Sequence, residues 1–209
     1  MARSRGATTF VVFIAIIGLI LGYVVLATPP NKQSSTNQDE AANPDLLERA
    51  GAFRLGNENA TVQIVEFSDF QCPACKTRKS EIDGLLEKYP NDVSLTYRYF
   101  PLSYHPGGMI GAQAAETAGR QGKFKEMYDK LFSDQDNINE DNVKKWALEL
   151  GLDTNKFNKD LNSESVKSVI NQDVDAGTKL NLQGTPTLYL NGKEVQGSLT
   201  NEVENVLST

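Results

Sequence analysis

The chain has 209 residues, 39% hydrophobic and 23% charged, an ordinary globular make-up that excludes a fibrous or wholly disordered protein. The formal net charge is −6; Arg3 and Arg5 are the only charges in the first 27 residues, so the remainder carries 19 basic against 27 acidic side chains, net −8. An acidic body without a basic stripe argues against nucleic-acid binding, and the only two cysteines, Cys72 and Cys75, are too few for a disulfide scaffold or a four-cysteine zinc site.

From Gly6 to Pro29 no residue is charged, and Phe10–Ala27 is almost wholly apolar. That run is close to the roughly 20 residues a helix needs to cross a bilayer. Arg3 and Arg5 precede it and the next basic residue is Lys32, so the positive-inside bias predicts a single N-terminal transmembrane helix within 1–27 and an exported body. A signal peptide cleaved near Val25-Leu26-Ala27 is the alternative, although the apolar run exceeds the usual roughly 7–15 residues of such a segment. Thr28–Pro44 holds Pro, Ser, Thr, Asn and Gln with almost nothing apolar, and reads as a disordered linker with a reach of roughly 20–25 Å.

One α/β domain is expected over 45–209. Thr61–Ser68 is a β-branched run and reads as a strand. Pro73–Tyr89 follows as a helix, with Ile82, Leu85, Leu86 and Tyr89 at helical spacing. Val93–Phe100 is a second strand, ended by Pro101, and strand, helix, strand at this spacing predicts a βαβ unit with a parallel pair. The middle of the chain, about 106–182, reads as a helical insertion: Met109–Gln121, Phe124–Phe132, Glu140–Leu150, a short turn near Asn155–Leu161, and Ser165–Leu180. Thr187–Leu190 and Lys193–Gln196 flank Asn191-Gly192, a strong hairpin signal. A helix over Thr200–Leu207 closes the chain.

Cys72-Pro73-Ala74-Cys75 lies where the first strand meets its helix. Proline is favoured in a first helical turn, where its missing N–H would be unpaired. Cys72 is therefore expected at or next to the N-cap, facing free backbone N–H groups and the positive end of the helix dipole. A thiolate is stabilised in such a place, and the thiolate is the nucleophile. Cys75, one turn further in, is placed to resolve a mixed disulfide on Cys72. A plain structural disulfide is the bland reading, but a four-residue ring contributes only about 2 kcal/mol in the loop-entropy account. A metal site is the other reading; Cys72, Cys75 and the single histidine, His105, offer three ligands and no fourth.

The segment from Val65 to Cys75, with sequence Val-Glu-Phe-Ser-Asp-Phe-Gln-Cys-Pro-Ala-Cys, resembles the active-site segment of the thioredoxin superfamily and, more narrowly, of the exported DsbA-like thiol:disulfide oxidoreductases. Arg98-Tyr99-Phe100-Pro101-Leu102 with His105 after it, the helical insertion, and Gly184-Thr185-Pro186-Thr187 before the hairpin fit in order, so the likeness runs from about Phe53 to the end. The tethered arrangement is similar to membrane-anchored, BdbD-type members. The resemblance implies a thioredoxin fold with an inserted helical domain, a cis bond before Pro186 beside the cysteine pair, and a Thr185 backbone that pairs with an extended substrate. The bland reading of Pro186 is an ordinary residue before a strand.

Glu66 interrupts a strand that should be apolar on both faces, and a carboxyl buried there has a raised pKa and can move a proton. The resemblance implies that it exchanges the proton of Cys75; the alternative is a strand-end carboxylate that reaches solvent or pairs with Arg98. His105 is expected to cap or start the next helix rather than to catalyse. The best-known DsbA proteins carry histidine between the cysteines where this chain has Ala74, which weakens the expectation of strong oxidising power.

The expectation is thus an extracytoplasmic, membrane-anchored thiol:disulfide oxidoreductase without metal or cofactor. Its Cys72–Cys75 pair would oxidise cysteine-containing exported clients and be re-oxidised by a quinone-linked membrane partner of DsbB or VKOR type. The alternatives are a reductase or isomerase in cytochrome or copper-centre assembly, and a copper metallochaperone.

Overall fold

The computed structural model describes residues 41–209, so the expected membrane helix and most of the expected linker lie outside it. Among the described residues no helix is long and apolar enough to cross a membrane. The end of the expected linker is not disordered: Ala42 donates its N–H to the Gly192 carbonyl at 2.8 Å, and Asn43 caps a one-turn helix α1, Pro44–Leu47.

A five-stranded sheet follows, built from β1 (Arg54–Gly56), β2 (Val62–Ser68), β3 (Val93–Tyr99), β4 (Thr187–Leu190) and β5 (Lys193–Glu194) in the spatial order β1-β3-β2-β4-β5. Only β2 and β3 are parallel, joined by helix α2 (Pro73–Lys88) as the βαβ spacing predicts. β1 was not foreseen; three residues along the edge of β3 are too few to show alternation. Between β3 and β4 the chain inserts α3 (Gly108–Gly119), α4 (Phe124–Ser133), a 3-10 turn (Gln135–Asn137), α5 (Glu140–Glu149), α6 (Thr154–Leu161) and α7 (Glu164–Lys179). Helix α8 (Leu199–Leu207) ends the chain.

The helical block forms because its sequence is punctuated. Asn139, Asp153 and Ser163 each accept from the N–H three residues on, at the starts of α5, α6 and α7. In α4 the buried Phe124, Met127, Tyr128, Leu131 and Phe132 make one stripe at the i, i+3, i+4, i+7, i+8 spacing of a core-facing helix. Both faces of the sheet are covered. Val62, Ile64, Leu95 and Tyr97 belong to the main core with α2 and the block, while Val65, Phe67 and Tyr189 pack with Leu47 and Ala176 on the other side.

Arg98 lies on that second face, so the alternative reading of Glu66, a pairing with Arg98, does not form. In the parallel register Glu66 pairs with Tyr97 and Phe67 with Arg98, and successive side chains on a strand point to opposite faces. Arg98 is buried, its guanidinium 5.0 Å from the Phe67 ring centre. Its partner is Asp173 of α7, whose Oδ1 accepts from Arg98 Nε at 2.7 Å and from Arg49 Nε at 2.7 Å, while Oδ2 accepts from the Tyr99 N–H at 3.0 Å. Arg98 Nη1 also donates to the carbonyls of Leu46 and Leu47. One carboxylate thus joins α7, β3 and the N-terminal segment. Asp173→Asn leaves two guanidinium groups facing each other without a counter-charge, and is expected to lower the unfolding free energy by about 3–5 kcal/mol. Urea unfolding checks this; a loss below about 1 kcal/mol, typical of a surface pair, would contradict it.

Candidate active site

β2 ends at Ser68 and the chain turns through Asp69–Gln71 into α2, with Cys72 as N-cap and Pro73 as the first helical residue. The Cys72 N–H donates to the Asp69 carbonyl at 3.1 Å. The Asp69 side chain holds the turn from inside. Its Oδ1 accepts from the Gln71 N–H at 2.8 Å, and its Oδ2 accepts from the Leu102 N–H and meets His105 Nδ1, each at 2.8 Å. Gly108 passes so close that an added Cβ would lie 2.9 Å from Asp69 Oδ2. His105 therefore fastens the loop after β3 to the turn before α2, and its side chain does not cap α3, whose N-cap is Gly107.

β4 pairs antiparallel with β2 starting at Thr187 opposite Phe67, which brings the preceding loop to the same end of the sheet as the cysteines. The Thr185–Pro186 bond is cis, as the resemblance implied. The Cys72 thiol donates to the Thr185 carbonyl at 3.5 Å. Cys72 keeps 6% of its surface exposed and Cys75 none, and both thiols are free.

Burial pushes the pKa of Cys75 up strongly, and the charge of Glu66 pushes it further; the Asp69 backbone and the Ser68 and Thr185 hydroxyls act the other way without offsetting burial. Glu66 is fully buried at mid-β2. Its Oε1 accepts from Ser68 Oγ at 3.0 Å, and its Oε2 has no partner. Burial pushes its pKa up to about 7, against the opposing pull of Ser68 and Arg78. Tyr97, its register partner on β3, is also buried with an unpaired hydroxyl, and burial followed by the charges of Glu66 and Cys75 raises its pKa.

Cys72, Cys75, Glu66, Thr185 and Pro186 are thus gathered at one end of β2. Three contributors were missed from sequence. Asp69, two residues before Gln71, carries the signature of an Asx-turn and was legible in principle. Ser68, beside an unusual buried acid, was a weaker signal. Gln135, which reaches the turn from the helical block, had none, because its placement depends on tertiary structure. Among the described residues no three His, Cys, Asp or Glu side chains are grouped to hold a metal, and His105 is turned to Asp69.

The raised pKa of Glu66 has a stability consequence. The carboxyl holds its proton more tightly folded than at its ordinary value of 4.5, so its contribution is fullest below 4.5 and is lost as pH rises through about 7. Glu66→Gln, neutral at every pH, should match the parent in stability below pH 4.5 and exceed it by about 3 kcal/mol above about pH 8. Chemical unfolding across that range is the measurement; a difference independent of pH would contradict it.

A family profile described as Thioredoxin matches residues 49–206. Among curated proteins the chain is 33% identical over 145 residues to "Na(+)/H(+) antiporter NhaA 1" of Mycolicibacterium gilvum, covering 68% of this chain and 24% of that protein. It is 36% identical over 143 residues to "Na(+)/H(+) antiporter NhaA 3" of Salinispora tropica, covering 68% of this chain and 22% of that protein. The chain therefore spans about a quarter of the length of these relatives. Among solved structures it is similar to a thioredoxin-like oxidoreductase from Silicibacter pomeroyi DSS-3, with 32% identity, a TM-score of 0.70, and 80% of this chain and 96% of that one covered. Oxidised BdbD from Bacillus subtilis matches with 25% identity and a TM-score of 0.69, over 81% of this chain and 98% of that one.

Proposed function

Since the chain belongs to the thioredoxin family, as a DsbA-like thiol:disulfide oxidoreductase, we propose that Cys72 and Cys75 form its redox pair and oxidise cysteine-containing clients outside the cytoplasm. In the oxidised enzyme a client thiolate attacks Cys72 Sγ. The Cys72–Cys75 bond breaks, a client–Cys72 disulfide forms, and Cys75 leaves as a thiolate that takes a proton from Glu66. A second client thiolate then attacks the client sulfur of the mixed disulfide and releases Cys72. Two electrons pass to the pair, and the client gains a disulfide.

The observation that carries this reading is the inequality of the two thiols. Cys72 stands at the mouth of α2 against the Thr185 carbonyl and keeps a small exposed area, 6% of its surface. Cys75 is sealed behind it beside an acid whose pKa is raised to about 7. A thiol so disfavoured as an anion is a good proton acceptor on release, and a carboxyl near 7 both gives and takes protons at neutral pH. The backbone around Thr185 and Pro186 supplies a surface for an extended client segment. An anchor in residues 1–27 would hold the domain at the outer membrane surface, near a quinone-linked partner of DsbB or VKOR type that returns the pair to the disulfide.

Cys75→Ser should accumulate mixed disulfides between Cys72 and clients, visible as reductant-sensitive adducts, whereas Cys72→Ser should form none and lose turnover. Full turnover by Cys75→Ser would remove the two-thiol mechanism. The reduction potential separates oxidant from reductase: a value well above the roughly −270 mV of thioredoxin fits the oxidant, and one at or below it fits the reductase.

A further inference from the structure

The catalytic turn is gripped by the helical block through two glutamines. Gln135, buried at the start of the 3-10 turn after α4, donates from Nε2 to the Phe70 carbonyl at 2.7 Å and to the Cys72 carbonyl at 3.0 Å. Gln71 answers from the other side: its Nε2 lies 3.5 Å from the Gln135 carbonyl, and its Oε1 accepts from the Gly107 N–H at 2.6 Å. The partners fix both amide orientations, because two carbonyls require an NH₂ group and a backbone N–H requires an oxygen. Gly107 is squeezed between Gln71 and Ile138: a Cβ there would come within 2.8 Å of the Ile138 carbonyl and 2.9 Å of Gln71 Nε2. Three separate segments, the catalytic turn, the entry to α3 and the turn 135–138, therefore meet on the peptide groups that flank Cys72.

We infer that Gln135 is a positioning residue for thiol–disulfide exchange, and that the Gln71–Gln135 clasp is how the helical block sets the reactivity of Cys72. The inference rests on the assignment of Cys72 and Cys75 as the exchanging pair. The Cys72 carbonyl has two donors, Gln135 Nε2 and the Lys76 N–H at 3.2 Å. The helical one alone fixes the direction of the first turn. The side-chain one, shared with the Phe70 carbonyl, fixes where the N-cap residue sits over that turn, and hence where its sulfur meets the Thr185 carbonyl. Phe70 is itself locked into the core, stacked on Tyr97 with ring centres 4.9 Å apart and tilted on Phe132 at 5.0 Å, so the clasp joins the turn to the block at rigid points.

The clasp is made with both thiols free, and closing the Cys72–Cys75 bond, which moves the Cys72 sulfur, is inferred to loosen it, so losing the clasp costs the dithiol form more than the disulfide. In the exchange with glutathione, protein dithiol plus glutathione disulfide gives protein disulfide plus two glutathione thiols. Gln135→Met keeps the size and removes the donor. It should shift the constant for this exchange toward the protein disulfide by about two- to tenfold, the factor one net hydrogen bond is worth. Gln71→Met, which breaks the other half of the clasp at a half-buried side chain, should shift it the same way and serves if Gln135→Met fails to fold. Ile138→Ala, a truncation on the same turn that leaves every clasp hydrogen bond in place, measures lost packing alone and should leave the constant unchanged. An unchanged constant in both glutamine variants, or an equal shift in Ile138→Ala, overturns the inference. Failure of the parent to exchange with glutathione at all overturns instead the assignment of the cysteine pair.

Discussion

Burying a carboxyl in the middle of a parallel strand disfavours its ionised form, and at Glu66 only one hydroxyl, that of Ser68, is in hydrogen-bond contact to stabilise the charge. The residue sits in register with Tyr97, whose hydroxyl is also buried and unpaired. A domain of this size could fill the site with an apolar side chain and gain stability above neutral pH. Keeping the acid ties the sheet to the chemistry: the same desolvation that raises Glu66 raises Cys75, and each disfavours the charge of the other. The two thiols are unequal in depth, since Cys72 keeps 6% of its surface exposed and Cys75 none, and the charge of Glu66 acts on Cys75.

Everything else at the site serves to hold that depth difference. Asp69 closes the turn between strand and helix from inside and reaches the loop after β3 through Leu102 and His105. The hairpin strand β4 carries the cis-Pro186 loop to the sulfur of Cys72. Asp173 holds the far face of the sheet, where Arg98 and Arg49 converge. The buried charges of the two faces are thus kept apart by the sheet itself, and among the described residues Glu66 makes no salt bridge, with Arg78 acting on it only through its charge.

Much of the architecture was legible because its signals are local. The run Thr61–Ser68, the proline at the head of α2 and the Asn191-Gly192 turn each depend on neighbours in sequence, and those elements formed within a residue or two of their expected bounds, whereas the short turn expected near Asn155–Leu161 is the helix α6, started by the Asp153 cap. Edge strand β1 and helix α1 were not legible; they are three and four residues long and exist through pairing with β3 and contact with the body. At the site, the cysteines, Glu66, Thr185 and Pro186 could be read from the motif and the resemblance. The pairing of Arg98 with Asp173 rather than Glu66 could not, because it turns on strand register and on a helix 75 residues further along the chain. Gln135 was hidden for the same reason.

The central claim is that the sheet stores a proton beneath the thiols at neutral pH. Carbon-13 NMR of the Glu66 carboxyl in the dithiol protein, assigned by comparison with Glu66→Gln, tests it most directly. Titration of that resonance with a midpoint near 7 is the predicted result. A midpoint near the ordinary 4.5 would mean an acid in contact with water, and would contradict the account.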